Sequence, residues 1–295
     1  KKLKIGTNVW PGYELLYLAK DLGYYENTPI KLFEYDSASE VMEAFKKGHL
    51  DVAALTMDEV FLISQHDASV RFFLITDFSQ GGDVILGAKG IHKMTDLQGK
   101  RVGVETTALG AFFLTRALEN SGMKPGDVKV VHFEVHKHEK AFTEKQVDAV
   151  VTFDPVRTNL IKKGAKVLFD SSMIPGEIVD VLAAREEAIG NRRGEFSALV
   201  AGWFKALEYL KTNPEDAVKR MAPREGISPA QFSISLKGIH IPDKKENLEF
   251  LTGEYSPIYK NMVTLSMIMF EKGLLKKNIV PRRMIDPRPI TKTIE

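Results

Sequence analysis

Four places in this 295-residue chain set polar or aromatic side chains directly between an apolar, β-prone run and a helical stretch. They are Trp10-Pro11-Gly12-Tyr13, Thr56-Met57-Asp58-Glu59, Glu105-Thr106-Thr107-Ala108 and Thr152-Phe153-Asp154-Pro155. The first N–H groups of a helix have no partner inside the helix, so strand-to-helix junctions in an α/β sheet present donors to a crevice where small molecules bind. Trp10 and Tyr13 add flat apolar faces that also hydrogen-bond. The chemistry these residues suit is capture.

The charges at the junctions narrow the guest. Asp58, Glu59, Glu105 and Asp154 stand there, and Arg157 is the nearest base in sequence. A bare anion meets carboxylates, although Thr106, Thr107 and the helix dipole offer an acid group some support. An amine, an aminopyrimidine or another donor-rich head fits better. Helix capping explains Thr106, Thr107 or Asp154 equally well when each is taken alone, and some of the acids suit solvent-facing positions.

Other chemistries lack their residues. His132, His136 and His138, with Glu134 and Glu139 between them, would share one face if the strand ran on through them, but no HExxH spacing accompanies them and the reading is no metal. There is no phosphate-cradling glycine loop, no GxSxG and no Ser/His/Asp set that spacing assembles, so no cofactor and no catalysis are expected. Cysteine is absent, which excludes disulfides and thiolate chemistry. Lys plus Arg number 41 against 39 Asp plus Glu, mixed along the chain, which argues against a nucleic-acid partner. No apolar run approaches the roughly 18 to 20 residues of a membrane span. The start at Lys1, just before a strand, reads as a processed chain.

These junctions need an α/β frame to bring them together. Strands at 4–9, 30–35, 52–55 and 70–76 alternate with helices at 13–22, 38–47 and 57–65. After Ser79-Gln80-Gly81-Gly82-Asp83 and a strand at 84–88, a second series follows: strands at 101–104, 128–133, 149–153 and 165–169, with helices at 108–121, 138–144 and 155–163. A strand at 179–183 reads as a return path, and the last third is helical. Residues 44–54 and 141–151 echo each other as helix, turn, Asp and apolar strand, one per series. The fold class is therefore α/β with two lobes, each a mixed, mainly parallel sheet flanked by helices.

Trp10-Pro11-Gly12-Tyr13-Glu14-Leu15-Leu16-Tyr17-Leu18-Ala19-Lys20 with Gly23-Tyr24-Tyr25 resembles the opening of solute-binding proteins of the nitrate/sulfonate/taurine and thiamine-pyrimidine-precursor group. So do Gly48-His49-Leu50-Asp51-Val52-Ala53, Asp96-Leu97-Gln98-Gly99-Lys100-Arg101-Val102-Gly103-Val104 and Val147-Asp148-Ala149-Val150-Val151-Thr152-Phe153-Asp154-Pro155. The resemblance implies a type II periplasmic binding protein that closes on a small-molecule ligand like a hinged clamp and delivers it to the permease of an ABC importer. It implies a first lobe of about residues 1–84 plus 184–295, a second of about 85–183, and a two-crossing hinge. By position Trp10, Gly12 and Tyr13 match the first binding loop, Thr56 to Glu59 the second, and Ser79 to Gly82 the hinge-side loop. Thr106 and Thr107 match the helix start that takes the acid group in sulfonate binders, and Thr152 and Asp154 stand at the strand end opposite.

Sulfonate binders of this group tend to have Gly-Ser where this chain has Thr106-Thr107, and Glu105 opposes a strong anion. The expected ligand is accordingly a donor- or amine-bearing nutrient such as a pyrimidine precursor or an amino-sulfonate. A related pyrimidine-synthesis enzyme uses a cysteine-rich iron site, which this chain lacks. The expected setting is periplasmic or extracytoplasmic, free or anchored as a lipoprotein, with a monomer as the working unit. The alternatives are a ligand-sensing domain of a signalling protein and an enzyme on the same fold.

Overall fold

The computed structural model describes residues 2–107, 109–253 and 256–291. Eleven strands among them form two sheets. The first sheet contains β1 (Leu3–Asn8), β2 (Ile30–Tyr35), β3 (Val52–Thr56), β4 (Val70–Ser79), β10 (Val179–Arg185) and β11 (Ile239–His240), in the order β11-β4-β10-β3-β1-β2. The second contains β5 (Val84–Gly87), β6 (Arg101–Val104), β7 (Lys129–His132), β8 (Ala149–Thr152) and β9 (Lys166–Asp170), in the order β7-β6-β8-β5-β9. The helices that matter for the site are α1 (Glu14–Asp21), α2 (Ala38–Lys46), α3 (Met57–Ser64), α4 (Leu109–Asn120), α5 (Val135–Thr143) and α6 (Val156–Lys162).

The sheets are mixed, with a smaller parallel share than the alternation of strands and helices suggested. β1 runs parallel to β2 and β3, and β6 to β7 and β8, whereas β10 is antiparallel to β3 and β4, and β5 to β8 and β9. The reason is the path of the chain. A strand followed by a helix ends at the seam between the sheets, but a strand that has just crossed the seam begins there and runs away from it. Thus Asp180 at the start of β10 lies opposite Thr56 at the end of β3, and Val84 at the start of β5 lies opposite Thr152 at the end of β8.

This path also corrects the expected lobe boundaries. β10, placed in the second lobe by the range 85–183, pairs inside the first sheet, and Val84, placed in the first lobe, pairs inside the second. The linking segments are 80–83 and 171–178. They are tied together: the Ser79 and Ser171 hydroxyls lie 2.7 Å apart, the Gly81 N–H donates to Ser171 Oγ, and the Asp83 N–H to Ser79 Oγ.

Each lobe has its own core. One apolar cluster joins the first sheet to the C-terminal helices and buries Trp203 completely. Apolar residues of the second sheet fall into two clusters, one holding Phe113 and Phe169, the other Val84, Leu86 and Leu160. Phe112 of α4 instead packs into the first lobe's cluster, so the lobes touch through apolar surface as well as polar contacts. Among the described residues no helix is long and apolar enough to cross a membrane.

Candidate functional site

A cavity of about 560 Å³, counting its open mouth, lies on the seam. The first lobe lines it with Asn8, Trp10, Tyr13, Ala38, Thr56, Glu59 and Asp180, the second with Glu105, Leu109, Gly110, Phe113, His138, Val151, Thr152 and Phe153, and Asp83 lines it from the crossing. No lysine or arginine is among these residues.

Trp10 forms the floor where the lobes meet. It follows β1 and is almost fully buried, with its Nε1–H donating to both Asp77 oxygens at 3.1 and 3.3 Å and its ring meeting Phe153 of the other lobe edge-on at 5.4 Å. Two glycines make its slot. A Cβ on Gly12 would stand 1.9 Å from Asp77 Oδ2 and 2.6 Å from the indole nitrogen, and one on Gly82 would stand 2.8 Å from the indole ring. Both positions therefore admit only glycine without displacing the Trp10–Asp77 pair. Gly12 and Gly82 support the aromatic wall rather than line the cavity.

Tyr13 donates its hydroxyl to Asp180 Oδ1 at 2.5 Å. Asp180 Oδ2 and Asp83 Oδ2 are both buried and have no hydrogen-bond partner. Asp77 lies opposite Asp180 on the neighbouring strand, so three aspartates meet around the two chain crossings. Burial pushes the Asp83 carboxyl up to about 7, with the Asp58 charge adding to it and Ser79 and Arg157 opposing. Burial likewise raises Asp180 well above the usual carboxylate range, helped by the charges of Asp77, Asp83 and Glu59 and opposed by the Tyr13 bond. Tyr13 is raised too, first by burial and then by Asp180, and stays a donor at neutral pH. Unpaired buried acceptors of this kind are costly until a donor reaches them.

Glu59 and Glu105 span the seam. Glu59 Oε2 accepts from the Thr56 N–H at 3.0 Å at the start of α3, and its Oε1 accepts from the Leu109 N–H of α4 at 3.1 Å. In the other direction Glu105 Oε1 accepts from the Ser39 N–H at 3.0 Å and from its hydroxyl at 2.5 Å, in the first turn of α2.

The second lobe's polar wall is already satisfied. His138 lies between the Phe133 carbonyl, 2.9 Å from Nε2, and the Thr152 hydroxyl, 3.3 Å from Nδ1. A carbonyl only accepts, so the network puts the proton on Nε2 and leaves Nδ1 to accept from Thr152. Burial pushes this imidazole down to about 4, and it is neutral at pH 7.

Of the residues singled out in the sequence, Trp10, Tyr13, Thr56, Glu59, Glu105 and Thr152 come together in the cavity. Asp58, Thr106 and Thr107 instead line a separate groove between the lobes with Lys46, His66 and Lys276, because side chains at successive positions of a helix start diverge around its axis. Asp154 caps α6 through the Thr158 N–H at 2.9 Å and accepts from Ser235 Oγ at 2.6 Å, which uses both its oxygens away from the cavity. Ser79 belongs to the hinge knot, and Ala108 lies outside the described residues. The histidines do not continue a strand: β7 stops at His132 and α5 starts at Val135, so His132 meets Thr106, His136 lies 3.7 Å from Glu134, and only His138 reaches the cavity.

Asp83, Asp180, Asn8 and His138 were not singled out as ligand-facing. Asp83 and Asp180 start strands instead of ending them, so a search for strand-to-helix junctions passes over both. An acidic residue inside the otherwise apolar run Val179-Asp180-Val181-Leu182 was the available signal for Asp180.

Two mixed α/β lobes, two crossings and a cavity on the seam define a protein with the two-lobed binding-protein fold. The NMT1/THI5 like family profile matches residues 10–217, and the chain belongs to that family. It is 21% identical to the taurine-binding periplasmic protein of Escherichia coli (strain K12) over 249 residues, 81% of this chain and 77% of that one. A zinc-bound ligand-binding component of an ABC-type import system from Staphylococcus aureus superposes with a TM-score of 0.82 at 17% identity, covering 99% of each chain. The alkanesulfonate-binding protein from Xanthomonas axonopodis pv. citri, bound to MOPS, superposes with a TM-score of 0.77 at 18% identity, covering 97% of each.

Proposed function

We propose that this chain is a binding protein without catalytic activity, which captures a small organic solute carrying an amine, an aminopyrimidine or a similar donor-rich head. One observation carries the reading: Asp83 and Asp180, each with one buried oxygen that makes no hydrogen bond, line a cavity together with further acids and with no lysine or arginine among the described residues. A ligand donor that reaches either oxygen supplies the hydrogen bond it lacks. Trp10 and Phe153 give an apolar ring or chain its contact surface. A bare anion would gain nothing from this wall.

The two-lobed arrangement supports closure as a population shift, since a ligand touching both lobes favours the form in which they meet. The family and the relatives' roles support delivery to the permease of an ABC importer from an extracytoplasmic location; we take one chain as the working unit. Mass spectrometry of the purified protein, followed by titration calorimetry with aminopyrimidines, taurine, ethanesulfonate and nitrate, tests the reading. Stoichiometric retention of an unchanged amine-bearing molecule supports it. Binding of nitrate or ethanesulfonate with none of any amine, or conversion of the retained molecule, overturns it.

A further inference from the structure

Two helix starts face this cavity from opposite lobes, and each is already occupied by a carboxylate of the other lobe. Leu109 begins α4, a helix of 12 residues, and its N–H goes to Glu59 of the first lobe at 3.1 Å. Ser39 lies in the first turn of α2, a helix of nine residues, and its N–H goes to Glu105 of the second lobe at 3.0 Å. These N–H groups are the ones a helix cannot satisfy internally, and they carry the positive end of its dipole. An anionic ligand in a cleft of this kind would use them.

We propose that Glu59 and Glu105 are specificity-determining residues: their carboxyl oxygens fill the helix starts facing the cavity, so that the lobes close without an acid group from the ligand and anionic ligands are refused. The inference rests on the cavity being the ligand site, and it deepens that reading by assigning the exclusion of anions to two named side chains. Each glutamate takes up the N–H donors that would attract an anion. Glu59 does more than serve its own helix, since its Oε2 accepts from the Thr56 N–H while Oε1 crosses to the other lobe. Glu105 makes the reciprocal contact from β6 toward α2, with the Ser39 hydroxyl 2.5 Å from both Glu105 Oε1 and Thr107 Oγ1.

The test is titration calorimetry with ethanesulfonate, which carries no amine, on the wild type and on Glu59→Ala, Glu59→Gln and Glu105→Gln. Circular dichroism monitors folding, and small-angle X-ray scattering of the ligand-free proteins monitors closure. The expected result is no detectable binding by the wild type at millimolar concentration and a gain of at least about tenfold in Glu59→Ala, with smaller gains in the two Gln variants, which keep the bulk and one acceptor oxygen. Glu59→Ala is also expected to have the larger radius of gyration, because its interlobe bond is gone. Folded variants that bind ethanesulfonate no better than the wild type overturn the inference, and the Gln variants decide it if Glu59→Ala does not fold. In that case a wild type that still retains an amine-bearing ligand leaves the proposed function standing. Tight ethanesulfonate binding by the wild type overturns both.

Discussion

The two lobes contribute to the cavity in different ways. The first lobe presents Asp180 and Glu59 on its lining with Asp77 directly behind, and Asp83 on the crossing adds another carboxylate, so oxygens are left without partners and burial raises their proton affinities. The second lobe presents Val151, Phe153, Phe113 and Leu109, together with a His138–Thr152 pair whose bonds are complete. The contrast assigns the roles. On the proposed function the first lobe and the crossings would read the ligand's donors, while the second lobe, apart from Glu105, would cover it with apolar surface and neutral groups.

The sharpest way to break this comparison is to remove a free carboxylate. Asp180→Asn is expected to weaken binding of an amine-bearing ligand by about 2 to 5 kcal/mol, the range for losing one partner of a buried charge pair, as measured by titration calorimetry. The same variant should melt at a higher temperature without ligand at alkaline pH, since an amide cannot take up the charge that burial and the neighbouring acids disfavour. If Asp180→Asn binds as the wild type does, the first lobe does not read charge. Trp10→Ala comes next, with a loss of about 1 to 3 kcal/mol in binding. It should also lower the melting temperature, because the indole is wedged between the lobes and is Asp77's main donor.

The pH dependence should have opposite sign in the two lobes. Asp83 is raised from 3.8 unfolded to about 7 folded, so its contribution to ligand-free stability is complete below pH 4 and is lost as pH rises through 7. Asp83→Asn should flatten the fall in melting temperature between pH 5 and 8. His138 is lowered from 6.5 to about 4, so its contribution is present above 6.5 and is lost as pH falls toward 4. His138→Gln should flatten that acid limb alone. Melting curves in which either variant flattens the other limb would contradict the assignment. The smallest effect is expected from Thr152→Val, a loss of about 1 kcal/mol or less in ligand affinity by calorimetry, because its hydroxyl is committed to His138.

Much of the frame was legible because it rests on local pattern. Alternating apolar strands and amphipathic helices placed most elements within a few residues, and the junction rule found Trp10, Tyr13, Thr56, Glu59, Glu105 and Thr152. It failed where neighbouring residues of one junction turn to different sides. Glu59 enters the cavity and Asp58 does not, and Glu105 enters while Thr106 and Thr107 face another groove. A one-residue difference on a helix is a rotation of about 100°, which only the position of the opposite lobe makes meaningful.

The sequence by itself determined two α/β series, the strand-end aromatics and an acidic site with few bases nearby, all of which follow from residue type and short-range periodicity. The tertiary structure decided which acids share a space. Asp83 and Asp180 are 97 positions apart and begin strands, and they meet because the chain crosses between the sheets twice and enters each new sheet at the cavity. Gly12 and Gly82 acquire their purpose in the same way, as the two sides of a slot for Trp10. Register and crossing are long-range properties, and no local spacing encodes which ends of two sheets will face each other.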